Sequence, residues 1–276
     1  MNARQKKLVG VIAFTCGIAL LAWWFLRSPE PAYNGKSLTA WAQQYRSNKW
    51  RGGGGPAARE AEVAIRQIGT NAIPFFLNLI QVRDSALKKK LREVVPRKWH
   101  AGLHINDTSG DIRRIGAHGL AALGTNAPAA VPPLIEIAGH HPDEDARYIA
   151  VFALRTLGSA AEPAIPFLIR CLTNEVRIIR DDAALGLGAM QLQPDVVVPA
   201  LLRYLDSVQT RSGWEVTDAI GALFMFGTNA RTAVPMMIKL LDHPDSSVRA
   251  EVTNLLPGID AEAAANAGVT RPRANR

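Results

Sequence analysis

The stretch from Leu157 to Leu172, LGSAAEPAIPFLIRCL, contains the pattern that decides the fold of this chain. An apolar segment stops at Gly158, a short connection follows, and Ile165-Pro166 begins a second apolar segment. Glycine tolerates the left-handed conformation that often ends a helix, and proline in the first turn of a helix loses no hydrogen bond. The stretch therefore predicts two helices joined by a tight turn.

The same pattern returns along the chain. The other copies read IGTNAIPFFLNLI from Ile68, LGTNAPAAVPPLIEIA from Leu123, LGAMQLQPDVVVPALLRYL from Leu187 and FGTNARTAVPMMIKLL from Phe226. The prolines of the five copies are Pro74, Pro132, Pro166, Pro199 and Pro235, at spacings of 58, 34, 33 and 36 residues. Self-similarity at such a period predicts a solenoid of helix pairs, in which the first spacing needs an insertion.

Two turns of similar sequence each lead into a first helix: HPDEDAR at 141–147 and HPDSSVR at 243–249. Together with the repeated unit, these turns resemble the HEAT repeats, especially the short bacterial form of the phycobilisome-lyase HEAT-like type. The resemblance covers about residues 57–256 and is specific for fold more than for activity.

The resemblance implies an all-α fold. This fold would be a right-handed α-α superhelix, or HEAT-like solenoid, of about five helix pairs and a terminal half-repeat at residues 56–260. The resemblance further implies that Asp145 and Asp245 cap first helices, and that Arg147 and Arg249 pair with neighbouring turns.

Residues 8–26 form an uncharged stretch of 19 residues, LVGVIAFTCGIALLAWWFL. As a helix it would be roughly 28 Å long, close to the ~30 Å hydrocarbon core of a bilayer. Arg4, Lys6 and Lys7 precede it, and basic flanks favour the cytoplasmic side. We therefore predict a basic cytoplasmic N-terminus at 1–7, a single transmembrane signal anchor at 8–26 and a solenoid outside the cytoplasm, periplasmic or at the cell surface. A cleaved signal peptide is the alternative, although the expected small residues before a cleavage site are missing.

Two further segments are predicted to lie outside the repeats. Residues 27–55 read as a linker with one short helix, because Pro-rich sequence precedes Ser37 and four glycines follow at 52–55. Residues 261–276 read as a flexible tail, because they are Ala-rich and then basic.

The formal net charge of +8 gives little support for nucleic-acid binding, because residues 1–27 carry four basic residues and no acid. Half of the excess charge thus belongs to the predicted topology signal, and nucleic acid is not an expected partner. A basic cluster comprises Lys88, Lys89, Lys90, Arg92, Arg97 and Lys98. It is interpreted as a solvated helix face, with contact to an anionic lipid or polymer as the alternative.

The sequence points to no catalytic centre. His100, His104 and Asp107 could gather a metal ion, but Gly102 interrupts a helix there, so a surface loop is the preferred interpretation. HEAT-type metal hydroxylases use His-Glu pairs, and this sequence contains no His-Glu dipeptide. We therefore predict no enzyme activity, no cofactor and no metal. The alternatives are a lyase-like or chaperone accessory to an enzyme, and a polyanion-binding solenoid.

The second helices carry a predicted partner-binding row, in which apolar residues flank a line of basic residues. Its members are Phe75, Phe167, Arg170, Arg203, Tyr204, Met236 and Lys239. Such a row favours a protein or peptide partner that is acidic and has apolar anchors. The alternative is that the apolar members only widen the buried stripe. The chain is thus predicted to be a membrane-anchored scaffold for protein–protein interaction.

Overall fold

The computed structural model describes residues 30–52, 54–84, 90, 93–96, 99, 108–210 and 213–269. Within these ranges the chain is built from helix pairs with one short two-stranded hairpin, which confirms the predicted all-α repeat fold for this part of the protein. The right-handed sense of the superhelix stays a prediction.

Several sequence-based predictions lie outside the described residues. They are the membrane anchor at 8–26, the candidate metal ligands His100, His104 and Asp107, and most of the basic cluster, of which only Lys90 is described. Among the described helices, none combines the length and the apolar character needed to cross a membrane.

An antiparallel hairpin of β1 (Ala32–Tyr33) and β2 (Lys36–Ser37) precedes helix α1 (Leu38–Gly52). Five helix pairs follow in the described ranges. Their first helices are α2 (Pro56–Ile68), α4 (Ser109–Leu123), α6 (Glu144–Thr156), α8 (Arg177–Met190) and α10 (Gly213–Phe224). Their second helices are α3 (Ile73–Ile80), α5 (Val131–His140), α7 (Ile165–Cys171), α9 (Pro194–Val208) and α11 (Val234–Leu240). A further first helix, α12 (Ser246–Ile259), and the short α13 (Ala261–Asn266) complete the described chain.

Glycine ends the first helix in four of these pairs. The four glycines are Gly69, Gly124, Gly158 and Gly227, with φ values of 67°, 54°, 57° and 53°. Short 3-10 segments lead from each glycine towards a second helix that starts at Ile or Val, with proline in its first turn. The predicted unit of helix, glycine, turn and proline-opened helix is therefore confirmed in these four pairs.

The fourth pair differs from the prediction. Helix α9 begins at Pro194, so Pro199 lies inside the helix instead of opening it. The turn before α9 uses Gln191 and Gln193 in the left-handed conformation, with φ values of 53° and 49°, in place of a glycine. Pro199 keeps the position of the other aligned prolines, since it is exposed between the buried Val198 and Leu201, but the expectation that it opens the second helix was wrong.

Aspartate caps two of the first helices. The Asp245 carboxylate accepts a hydrogen bond from the backbone N–H of Ser247 at 2.8 Å, as predicted for α12. In α6 the cap is Asp143, which accepts from the backbone N–H of Asp145 at 3.0 Å. Assigning this cap to Asp145 was wrong, because the aspartate that directly follows proline has the extended backbone that a helix N-cap requires.

Arg147 and Arg249 fold back onto their own turns. The Arg147 guanidinium donates to the carbonyl oxygen of His141 at 2.9 Å, and Arg249 donates to that of His243 at 2.7 Å. The expected pairing with neighbouring turns was therefore wrong. Both arginines lie in the first turn of their helix, within reach of the turn that precedes it.

The segment predicted as a linker is largely packed against the repeats. Helix α1 contacts α2 and α4, and it buries Leu38, Trp41, Ala42 and Tyr45. The Trp41 indole N–H also donates to the carbonyl oxygen of Tyr33 at 3.1 Å. The predicted short helix is therefore present, and its apolar face packs on the first repeats.

The start of the predicted tail is ordered as well. Asp260 caps α13 by accepting from the backbone N–H of Ala263 at 3.0 Å, and Ala264 and Val269 are buried. The prediction of a flexible tail is thus corrected for 261–269, because Ala264 and Val269 bury apolar surface. Residues 270–276 lie outside the described ranges.

Successive first helices pack directly against one another, from α4 through α12. Small residues permit the closest approach between α8 and α10. A Cβ atom added at Gly188 would lie 2.8 Å from the Cα atom of Ala222 and 2.9 Å from its carbonyl oxygen. The backbones of these two helices therefore touch at a point where only glycine fits.

Substitution of Gly188 tests this contact. We expect Gly188→Ala to lower the free energy of unfolding by about 1–3 kcal/mol, because the new methyl group overlaps backbone atoms that have no room to yield. The matched control is Gly221→Ala in α10, where nothing lies within 4 Å of the added methyl. The control should be neutral or more stable by up to about 1 kcal/mol, since alanine favours helix. Denaturant unfolding followed by circular dichroism measures both, and equal stability of the two variants would contradict the packing.

Candidate functional site

The predicted partner-binding row lies on the second helices, and one of its members is in the core. Tyr204 is only 3% exposed, and its hydroxyl donates to the Asp181 carboxylate at 3.3 Å. Naming Tyr204 as a surface anchor was therefore wrong, because its position in α9 points towards the neighbouring first helix. Phe75, Phe167 and Met236 are half-buried against the core.

The basic members of the row, Arg170, Arg203 and Lys239, are exposed. Arg170 lies over the ring of Phe167, 5.6 Å from its centroid. Each connecting 3-10 segment packs against the second helix of the preceding repeat, as 158–164 does against α5 and 227–233 against α9. The second helices α7 and α9 also contact each other directly. Partner binding by the row, including Arg203 and Lys239, stays a prediction.

The outward sides of the first helices form a second surface, which we call the first-helix face. Two clefts open on its described part. The N-terminal cleft, of about 680 Å³, lies between α1, α4 and α6, and the C-terminal cleft, of about 410 Å³, lies between α8, α10 and α12. Residues that characterise the N-terminal cleft are Arg46, Asp111, Arg114, His118, Tyr148 and Phe152. Those that characterise the C-terminal cleft are Trp214, Thr217, Asp218, Asp245 and Glu251.

Aromatic rings line one side of the N-terminal cleft, which we call the aromatic wall. His118 of α4 and Phe152 of α6 meet edge to face, with ring centroids 5.4 Å apart. His118 is only 7% exposed. Burial, together with the positive charges of Arg46 and Arg114, lowers the pKa of His118 to about 4. The imidazole is therefore neutral at physiological pH and acts as part of an aromatic wall.

Two guanidinium groups stand above this wall. Arg46 lies 3.7 Å from Asp111, and Arg114 lies 3.8 Å from Asp145, so both ion pairs are loose. The Asp145 carboxylate is held more tightly by Arg113, at 3.0 Å. Arg114 thus shares Asp145 with Arg113, and the cleft presents two guanidinium groups beside an apolar surface.

Charged bridges join successive first helices beneath the face. Arg113 of α4 is 1% exposed, and it binds Asp143 and Asp145 of the next repeat, at 2.6 and 3.0 Å. It also donates to the Val82 carbonyl oxygen at 3.0 Å. These bonds let the Arg113 charge be buried, since a buried cation without partners would cost several kcal/mol.

Two further bridges continue the series. Arg155 of α6 binds Asp182 of α8 at 2.5 Å, and Arg180 of α8 binds Glu215 of α10, with Nε at 3.1 Å from Oε1. Burial raises the pKa of Asp182, although Arg155 acts in the opposite direction. The carboxylates are therefore crowded together in the C-terminal half of the face.

Asp218 in the C-terminal cleft is the most perturbed of these carboxyl groups. Burial raises its pKa from 3.8 to about 6, and the nearby negative charge of Asp181 adds to the effect. Trp214 stands beside it on the same helix and is 76% exposed. The C-terminal cleft is thus acidic and has an exposed indole, whereas the N-terminal cleft has two guanidinium groups and the aromatic wall.

Sequence reasoning missed the first-helix face, because the copies were aligned on the prolines of the second helices. An alignment on the helix-ending glycines would have revealed it. His118 and Phe152 each lie six residues before that glycine, and Arg114 and Tyr148 each lie ten residues before it. Within the described residues, no group of three or more His, Cys, Asp or Glu side chains could hold a metal ion.

Comparisons with known proteins agree with the repeat architecture. A family model described as HEAT repeats matches residues 100–188 and 131–216. A comparison with curated proteins gives no match. The crystal structure of an engineered protein is similar with a TM-score of 0.42 and 18% sequence identity, over 81% of this chain and 96% of that chain. A designed armadillo repeat protein, solved in complex with the peptide (KR)4, has a TM-score of 0.45 and 14% identity, over 83% of this chain and 98% of that chain.

Neutralising Asp218 tests the electrostatics of the C-terminal cleft. The folded pKa of about 6 exceeds the ordinary value of 3.8. The folded state therefore binds the proton more tightly than the unfolded state, and the charged side chain destabilises the fold at neutral pH. Asp218→Asn should raise the free energy of unfolding at pH 7 by about 1 kcal/mol, a figure reduced for partial solvent exposure.

The pH dependence of stability tests whether the Asp218 charge is destabilising. The free energy of unfolding of the wild type should rise by this amount as the pH falls from 7 through 6 towards 4, because Asp218 then becomes protonated. The difference in stability between the wild type and Asp218→Asn should vanish near pH 4. Glu175→Gln, at an exposed position, is the matched control and should change nothing. Denaturant unfolding at several pH values measures all three proteins. A variant that is less stable at pH 7 would show that the Asp218 charge is stabilising and would contradict this account.

Proposed function

We propose that this protein is a scaffold that binds a segment of another protein on its first-helix face. We further propose that residues 8–26 tether it to a membrane and that the repeats lie outside the cytoplasm. One observation carries the binding proposal: two clefts open on the same face of the solenoid. Charged and aromatic side chains line both clefts. Clefts of several hundred Å³ with aromatic walls and a few directed polar groups are typical of binding sites.

The packing of α1 supports the same surface. This helix lies across α2 and α4 and buries Trp41 and Tyr45, and its residues Gln43 and Ser47 border the N-terminal cleft. The chain itself thus places an amphipathic helix at one end of the first-helix face. A partner segment with aromatic or aliphatic side chains would pack on the first helices in the same way, beside α1 in the N-terminal cleft.

The tether is supported by the sequence alone. The uncharged stretch at 8–26 has the length of a bilayer span, and basic residues precede it. Such an anchor would confine the scaffold to two dimensions and raise its effective concentration towards partners at the same membrane.

Site-specific photo-crosslinking in intact cells tests the binding surface. A photoreactive residue in place of Gln43 or Ser47, both exposed at the cleft border, should give a small number of discrete crosslinked products. The same residue at Asn229, which is exposed in a connecting segment, is the background control. Positions Arg203 and Lys239 test the predicted row on the second helices. Products at these two positions, with none at Gln43 or Ser47, would move the binding surface to the second helices and refute the proposal.

A reporter fusion tests the tether and the topology. A phosphatase that is active only after export, fused after Arg276, should be active, and a fluorescent protein that matures only in the cytoplasm should stay dark there. The reverse pattern would place the repeats in the cytoplasm. Release of the active fusion into the soluble fraction would instead identify residues 8–26 as a cleaved signal.

A further inference from the structure

We infer that the N-terminal cleft recognises an acidic segment that also carries an aromatic or large aliphatic side chain. The segment's carboxylate would bind between Arg46 and Arg114, and its apolar side chain would pack on Tyr148 and Phe152. This inference rests on the proposed function, because it assumes that the first-helix face binds a protein segment. It assigns to that surface the partner chemistry that the sequence had suggested for the second helices.

The two guanidinium groups have unused binding capacity. The side chains of Arg46 and Arg114 are 34% and 42% exposed, and their nearest carboxylates lie at 3.7 and 3.8 Å. An arginine that binds a carboxylate firmly forms hydrogen bonds of about 2.7–2.9 Å, often in pairs. A ligand carboxylate can therefore gain closer contacts with both groups than their present partners provide.

The local charge favours an anion. Asp111 is shared between a loose contact to Arg46 and a hydrogen bond from the Thr108 hydroxyl at 2.8 Å, as part of the cap of α4. Asp145 is already bound by the buried Arg113. Both carboxylates thus have a closer partner than the arginine at the cleft, so the guanidinium groups of Arg46 and Arg114 can bind a ligand anion. Burial is the main cause of the lowered pKa of His118, and the positive charges of both arginines act in the same direction.

The aromatic wall supplies the apolar half of the recognition. Tyr148 and Phe152 are half-buried one turn apart on α6, so part of each ring faces the cleft. Ile115 and Ile149 close the space behind them. A cleft of about 680 Å³ has room for an aromatic or large aliphatic side chain beside a carboxylate.

The charge of the C-terminal cleft indicates that the two clefts of the first-helix face do not bind the same ligand. Its side chains Asp218, Asp245 and Glu251 are acidic, so it repels the ligand that the N-terminal cleft attracts. An acidic segment is therefore directed to one end of the solenoid.

Selection from a library of random peptides tests the inference on the full-length chain in detergent micelles. The selected peptides are synthesised with a fluorescent label, and their affinity is measured by anisotropy. We expect peptides with Asp or Glu close to Trp, Phe or Leu. Their binding should weaken about ten-fold or more in the double variant Arg46→Gln/Arg114→Gln, because two charge-assisted contacts are lost. It should also weaken with added salt in the wild type and much less in the variant.

Two controls make the result specific. Arg170→Gln/Arg203→Gln removes the same charge from the second helices and should change affinity less than two-fold, a change within about 0.4 kcal/mol. Ser47→Trp, at the exposed border, should block the cleft while both guanidinium groups remain. Thermal unfolding should confirm that all variants fold, since loose and partly exposed ion pairs contribute little to stability.

The outcomes separate the inference from the proposed function. Peptides that are neutral or basic, or that bind the Arg46→Gln/Arg114→Gln variant as tightly as the wild type, would overturn the acidic preference. If Ser47→Trp still blocked such peptides, the first-helix face would keep its role as a binding surface. If no peptide were selected and Gln43 and Ser47 gave no crosslinks, both the inference and the proposed function would fail.

Discussion

The structure depends on how firmly each first helix is tied to the next. Arg113, Arg155 and Arg180 each reach from one first helix to a carboxylate of the following repeat. A buried charge is costly unless its partners are in place, so these bridges are satisfied only when adjacent repeats have one particular relative position. Apolar burial supplies most of the stability of such a solenoid, whereas the bridges restrict how the repeats can shift against each other.

This arrangement explains why the clefts lie on the first-helix face. The first helices are long and pack side by side, whereas several second helices have only 7 or 8 residues. The connecting 3-10 segments pack against neighbouring second helices. On the first-helix face, the described residues leave the two clefts open.

Charge is distributed unevenly along this face. Loosely paired guanidinium groups mark the N-terminal cleft, and a group of carboxylates that includes Asp181, Asp182 and Asp218 crowds the C-terminal half. Burial raises the pKa of Asp218, the negative charge of Asp181 acts in the same direction, and the charged side chain costs stability at neutral pH.

The repeat, the helix-ending glycines and the apolar faces could be predicted from the amino-acid sequence, because these features follow from local backbone preference and from residue spacing. It also located the cap at Asp245. It misplaced the start of α9 because a turn of two left-handed glutamines replaced glycine there. The choice between a surface and a buried position for Tyr204, the packing of α1 on the first repeats and the meeting of Arg46 with Arg114 at one cleft became evident only in the folded chain. Those relations depend on contacts between residues far apart in sequence, and the spacing within one repeat shows an apolar face without showing what packs on it.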